Sequence, residues 1–212
     1  MKSTNTAKLL ALFIIIINVI FILSLAFDIN TFTNSNKDFQ LSTSIAFLFV
    51  GIIIYLVSNK KENSKKILSA TNYLFSFFLV MILITNYLKD LFSKKVIGAF
   101  YLIQSATISN TTTLKISPIT ISGFVLILVA GFFKIYEAKN LNRKFYIIGL
   151  FLIVLALLAI VGHLFNIPFL YYSFLGENNS IGFYTALLFL LAGISILFLW
   201  RSTEVEGIGA KI

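Results

Sequence analysis

The chain has 212 residues, of which 58% are hydrophobic and only 12% charged, and it carries a net charge of +9. With a mean hydropathy of +0.95, it lies outside soluble globular usage and has room for six membrane spans of about 20 residues each. Cysteine is absent, which excludes disulfides, thiolate metal sites and cysteine nucleophiles.

Residues 9–27 form a nearly continuous apolar run, interrupted by Asn18 and Ser24. A secretory signal begins similarly, but this run is long for one and lacks a small-x-small cleavage pattern, so a retained first span is expected. A polar connection over 28–40 leads to a second span at 41–57. Residues 58–66 then set Lys60, Lys61, Lys65 and Lys66 against the single Glu62, before a third span at 67–88. The longest connection contains the apolar piece 96–103, too short to cross a bilayer as a helix. It is expected to be an interfacial helix or a segment at the bundle mouth, with a re-entrant segment as the alternative.

Pro118 stands just before the fourth span, 119–136, where the first helical N–H groups have no intrahelical partner and proline is tolerated. A short basic turn separates it from the fifth span, 145–164. Lys134 and Glu137 near that turn read as a solvated or snorkelling pair. The loop 165–180 holds Pro168 and the pair Tyr171 and Tyr172, and the sixth span, 181–200, ends at Trp200 and Arg201. Tryptophan followed by arginine is an interfacial anchor. Residues 202–212 read as a tail or the start of a linker.

Six spans put both termini on one side of the membrane. Assigning that side to the cytoplasm gives it Lys2, Lys8, Lys60, Lys61, Lys65, Lys66, Lys134, Lys139, Arg143, Lys144, Arg201 and Lys211, which is 12 of the 17 basic residues. Short inner loops rich in lysine and arginine are what the positive-inside rule requires, so an N-in, C-in topology is expected. Orientation accounts for the positive charge without a nucleic-acid partner.

Three helices then begin alike on the outer side. Thr43 is followed by Phe47 and Gly51, Thr185 by Phe189 and Gly193, and Thr120 by Phe124. The i,i+4 spacing puts hydroxyl, ring and glycine on one helical face. In the second copy Leu128 takes the glycine position and Gly131 follows one turn later. The structural explanation is a helix start bonded by its hydroxyl, with glycine allowing close approach of another helix; lining an outer pocket is the alternative.

His163 is the only histidine. It is expected to be structural or interfacial, because one histidine without cysteine makes a poor haem or metal site. Asn18, near the centre of the first span, and Asn72, nearer the inner end of the third, are expected to hydrogen-bond between helices. Asp28, Asp38, Asp90 and Glu177 lie outside the spans, so no acid occupies the mid-span position typical of ion-coupled transport. No Walker, zinc-hydrolase, dinucleotide or Ser-His-acid pattern is present. The 23 phenylalanines leave a lipid, quinone or polyene cofactor open. If a pocket exists, its candidates are Asp28, Asn30, His163, Asn166, Tyr171 and Tyr172.

The segment from Gly162 through His163, Pro168, Tyr171 and Tyr172, followed by Gly182 to Gly193 with Thr185, Ala186 and Phe189, resembles the last hairpin of the N-terminal membrane module of bacterial sensor histidine kinases and diguanylate cyclases. Thr43, Ser44, Phe47 and Gly51, and Ser117, Pro118, Thr120 and Phe124, resemble its earlier parts. The resemblance covers most of residues 9–200. The chain departs from the pattern at His163, where an aromatic is more usual, and at Ile121, which replaces alanine.

The resemblance implies a bacterial inner-membrane sensor input domain that works as a homodimer and relays to a cytoplasmic kinase or cyclase part. It supplies no ligand and no binding residues. The chain is then either the membrane part of a longer receptor or a stand-alone relative. The expected fold is an all-α six-helix transmembrane bundle of three antiparallel hairpins. A lipid- or pigment-binding accessory subunit, and a small transporter or channel, are the alternative readings.

Overall fold

In the computed structural model, residues 2–27, 41–59, 62–87, 116–170 and 181–209 are described, and six α-helices account for most of them. They are α1 (Lys2–Ala26), α2 (Leu41–Val57), α3 (Glu62–Tyr87), α4 (Pro118–Ile135), α5 (Leu141–Leu164) and α6 (Phe183–Gly209), with a 3-10 turn at Pro168–Leu170. All but α2 contain an apolar stretch long enough to cross a membrane. At 17 residues, α2 would still rise about 26 Å, close to the thickness of a hydrocarbon core.

Helix outlasts apolarity at several ends. α1 begins at Lys2, α3 at Glu62, and α6 continues past Trp200 to Gly209. The cause is local: lysine, glutamate and alanine are good helix formers, so backbone hydrogen bonding runs on into polar sequence. One consequence revises the depths of the two buried asparagines. Asn72 lies close to the middle of the apolar stretch Glu62–Ile84, whereas Asn18 lies well past the middle of Ser3–Ser24.

The start of α4 shows sequence chemistry fixing a boundary. Ser117 has extended backbone angles, and its hydroxyl oxygen accepts a hydrogen bond from the Thr120 N–H at 3.1 Å, with Pro118 opening the helix. The ends of α4 and α5 use another device. Ala138 N–H bonds to Phe133 O at 3.0 Å and Ile167 N–H to Gly162 O at 2.8 Å, the six-to-one bond of a Schellman cap. The left-handed residue each cap needs is Glu137 (φ 48°) or Asn166 (φ 51°).

Each helix packs on its neighbours in sequence, and α6 closes the ring against α1; α2 also reaches across to α4 and α6. α1 and α6 run in opposite directions, since Ser3 donates to Phe198 O and Ser195 donates to Ala7 O. α3 and α4 do likewise, joined by Lys65 to Glu137 at one end and Asn72 to Leu128 further along. α5 and α6 pair Gly149 with Gly193 and His163 with Ile181.

The helices divide into an inner and an outer set. Leu9, Phe13, Ile16 and Ile20 of α1, Leu74 and Phe77 of α3, and Ile147, Phe151 and Leu158 of α5 are exposed. α2, α4 and α6 show few such residues. In a bilayer the exposed apolar faces meet lipid tails, so no hydrophobic drive separates lipid-facing from helix-facing leucine. Close packing must hold the helices together instead.

Small residues provide it. A Cβ on Gly193 would lie 3.0 Å from Gly149 O, and one on Gly51 would lie 3.1 Å from Ala11 O. Backbone therefore touches backbone between α5 and α6 and between α1 and α2.

Candidate functional site

At the end where α2, α4 and α6 begin, Thr43, Thr120 and Thr185 are all buried. One turn deeper their phenylalanines meet. Phe47 and Phe124 have ring centroids 5.0 Å apart, Phe47 and Phe189 4.9 Å, and Phe124 and Phe189 5.2 Å. All three rings are fully buried, at tilted to edge-on angles that suit aromatic quadrupoles. Gly123 makes the cluster possible, because any Cβ there would fall 2.6 Å from the Phe189 ring. The three repeated segments thus converge at the bundle axis.

The next position in each repeat faces the helix that precedes it in sequence. Gly51 lies against Ile15 and Ala11 of α1, and Gly193 against Gly149 and Ile153 of α5. In the second copy, where glycine is replaced by Leu128, the backbone carbonyl accepts a 3.1 Å hydrogen bond from Asn72 Nδ2 of α3. Gly131, one turn on, leaves room for the Asn72 amide, which a Cβ would strike. Asn72 therefore does bond between helices. Asn18 instead donates at 2.8 Å to Ile14 O in its own helix. Both residues are fully buried, and neither Oδ1 has a protein partner. Two open acceptors inside an apolar bundle are costly.

His163 and Asn166 come together at the far end of α5. The His163 Nε2 lies 2.6 Å from Ile181 O; since a carbonyl only accepts, this nitrogen carries the proton. The imidazole also meets Phe183 edge-on, with centroids 6.0 Å apart. His163 thus ties the end of α5 to the start of α6, and Asn166 provides the left-handed cap beside it. Asp28, Asn30, Tyr171 and Tyr172 lie outside the described residues, as does the segment 96–103.

The opposite end is basic and aromatic. Lys65 Nζ donates to Glu137 Oε1 at 2.7 Å, both side chains being well exposed. Glu137 is therefore bridged to α3 rather than paired with Lys134 alone, although Lys134 adds to the positive field around it. The Lys65 hydrogen bond, and then its charge, hold the Glu137 carboxyl below the usual carboxylate range. Tyr73 and Tyr136 hydroxyls are 3.2 Å apart. Lys144 Nζ sits 4.2 Å from the Phe133 ring centre, and Tyr146 packs on Trp200 at 4.8 Å. Among the described residues, Lys8, Lys65, Lys66, Lys134, Lys139, Arg143, Lys144 and Arg201 all belong to this half of the bundle, and the half with the threonines holds no Asp, Glu, Lys or Arg.

A small gap at the basic half, between α2, α4, α5 and α6, is lined only by aliphatic residues and Phe145. Apolar walls give a polar ligand nothing to bond. No group of three or more His, Asp or Glu suited to a metal ion occurs among the described residues.

Sequence reasoning missed the Asn72–Gly131 fit and the Lys65–Glu137 bridge, both contacts between separate helices that no local spacing encodes. Comparison of the chain with protein-family models, curated proteins and solved structures returns no match.

Proposed function

We propose that this multi-pass helical membrane protein is a signal-input module. In this reading its helices form three hairpins with the basic end and both termini toward the cytoplasm. A stimulus at the threonine end, or within the membrane, favours one packing of α6 against its neighbours. A dimer of such modules then passes the change to a cytoplasmic signalling part.

The observation that carries this reading is the continuity of α6. It is one helix from Phe183 to Gly209, about 40 Å long at 1.5 Å per residue. Along that length it engages His163 through the segment at its start, the three-ring cluster through Phe189, and α5 through Gly193. It then passes Trp200 and Arg201 and continues as helix. A single rod that touches both ends is suited to transmit a rotation or shift, provided the stimulus binds the two packings with different affinity.

The resemblance of the Thr185 segment to sensor input domains supports the same role and rests on those motifs alone. The filled axis counts against the alternative of a quinone or polyene held at the bundle centre, since the rings of Phe47, Phe124 and Phe189 occupy it. The buried Asn72 amide near mid-helix is the feature that a transporter reading would build on.

Helical phase provides the test. The chain is fused after Gly209 to the dimerisation helix of a histidine kinase, with one to four alanines inserted at the junction. Relay through a continuous helix makes kinase output rise and fall with the helical period of about 3.6 residues. Output that ignores insertion length would count decisively against relay through α6.

A further inference from the structure

We propose that the surface formed by the start of α3, the α4–α5 turn and the first turn of α5 is a docking site for anionic phospholipid headgroups. Lys65 and Lys66 come from α3, Lys134 from α4, Lys139 from the turn, and Arg143 and Lys144 from α5. Lys65, Lys66, Lys139 and Arg143 are exposed, and Lys134 and Lys144 half-buried. The carboxylates among the described residues of this corner are Glu62 and Glu137, and Glu137 is bridged by Lys65. The corner therefore holds a clear excess of cations drawn from three helices.

Depth selects the partner. Tyr136 and Tyr146 are exposed, and with Trp200 they stand at the same end of the helices as the cations. Such amphipathic rings settle where hydrocarbon gives way to headgroups. The cations beside them consequently sit at the level of lipid phosphate, and the Lys144 Nζ lies over the Phe133 ring. Basic corners between helices at that depth are suited to anionic headgroups. Arg143 and Lys144 also occupy the first turn of α5, which has no acidic residue. The helix dipole disfavours cations there, and a bound phosphate offsets that repulsion.

Trp200 is the only tryptophan and packs on Tyr146, one turn from Arg143, so it reports on lipid at this corner. The full chain is reconstituted in phosphatidylcholine bilayers in which an increasing fraction is replaced by brominated phosphatidylglycerol or, in parallel, brominated phosphatidylcholine. The expected result is that the anionic quencher acts on Trp200 with roughly fivefold or greater preference. Added salt should lower that preference.

In K139Q/R143Q the preference falls toward that of phosphatidylcholine, while K139R/R143K retains it. Circular dichroism of each variant checks the fold. Equal quenching by the two lipids, or a preference that survives both salt and K139Q/R143Q, overturns the proposal. Even if a variant folds poorly, equal quenching of the unaltered chain by the two lipids overturns the proposal. A preference lost with salt yet unaltered in K139Q/R143Q would place the anion elsewhere, and that too overturns it.

Discussion

Asn72 shows how much one buried amide can organise. It donates to Leu128 O across the α3–α4 contact, and its other face occupies the space left by the missing side chain of Gly131. An alanine methyl at 131 would collide with both amide heavy atoms. Because the amide is fully buried and bonded, it cannot swing aside without leaving its own Nδ2 unpaired. Gly131→Ala should therefore lower stability by about 1–3 kcal/mol, read as a shift of thermal unfolding in detergent. In the Asn72→Ala background the same change should cost much less, a coupling that a double-mutant cycle measures; equal costs in both backgrounds would refute this account.

Glu137 makes a gentler prediction at the same scale. Its pKa is lowered chiefly by the Lys65 hydrogen bond. A depressed carboxyl stabilises the fold above its unfolded pKa of about 4.3, and that contribution fades as pH falls through the folded value. Lys65→Gln should bring the Glu137 titration, followed by NMR, back toward the ordinary carboxylate value; because both groups are exposed, the stability change should be slight.

At the scale of helices, α5 and α6 depend on backbone contact. Gly193 and Gly149 each sit near the other's carbonyl oxygen, at 3.0 and 3.1 Å from a notional Cβ. A carbonyl in a helix cannot rotate away as a side-chain tip can, so the two helices must separate to admit a methyl group. Gly193→Ala is expected to loosen this pair, costing on the order of 1–3 kcal/mol. The loss would appear as a lowered detergent melting point and faster hydrogen exchange along α5; unchanged exchange would show that α5 and α6 do not rely on this approach.

The same helices show what the sequence disclosed. Long apolar runs announced the membrane stretches, because twenty apolar residues have few other uses. The i,i+4 spacing of Thr43 and Phe47, and of the equivalent pairs, made one face visible. That three faces converge on a common axis is a tertiary fact that spacing does not contain. Helix ends were less legible, since Lys2, Glu62 and the residues after Trp200 extend helices by hydrogen bonding that hydropathy does not register. That extension is why the depths of Asn18 and Asn72 read differently once the helices are laid out.

For the molecule as a whole, the decisive pattern is segregation of charge. Every described lysine and arginine lies in the half of the bundle that contains the α4–α5 turn, and among the described residues the half that contains the threonines has none. Sequence proximity pairs Glu137 with Lys134, while the 2.7 Å bridge to Lys65 joins residues far apart in the chain; the overall asymmetry, being a sum over many residues, does not depend on such pairings. A membrane potential and anionic inner leaflet both favour cations on the cytoplasmic side, and translocating a short basic loop is disfavoured.

The expected orientation therefore places the α4–α5 turn inside and the end of α5 outside. The chain has no cysteine, so single replacements report without background. Lys139→Cys, in the basic turn, should react with a membrane-impermeant maleimide only in inverted vesicles or after permeabilisation. Phe165→Cys, where the native ring is 71% exposed at the other end, should react in intact cells. Reversal of both results would invert the orientation and move the relay output to the opposite side. Reaction of both sites from the same side would break the bundle topology itself, because α5 would then fail to cross the membrane.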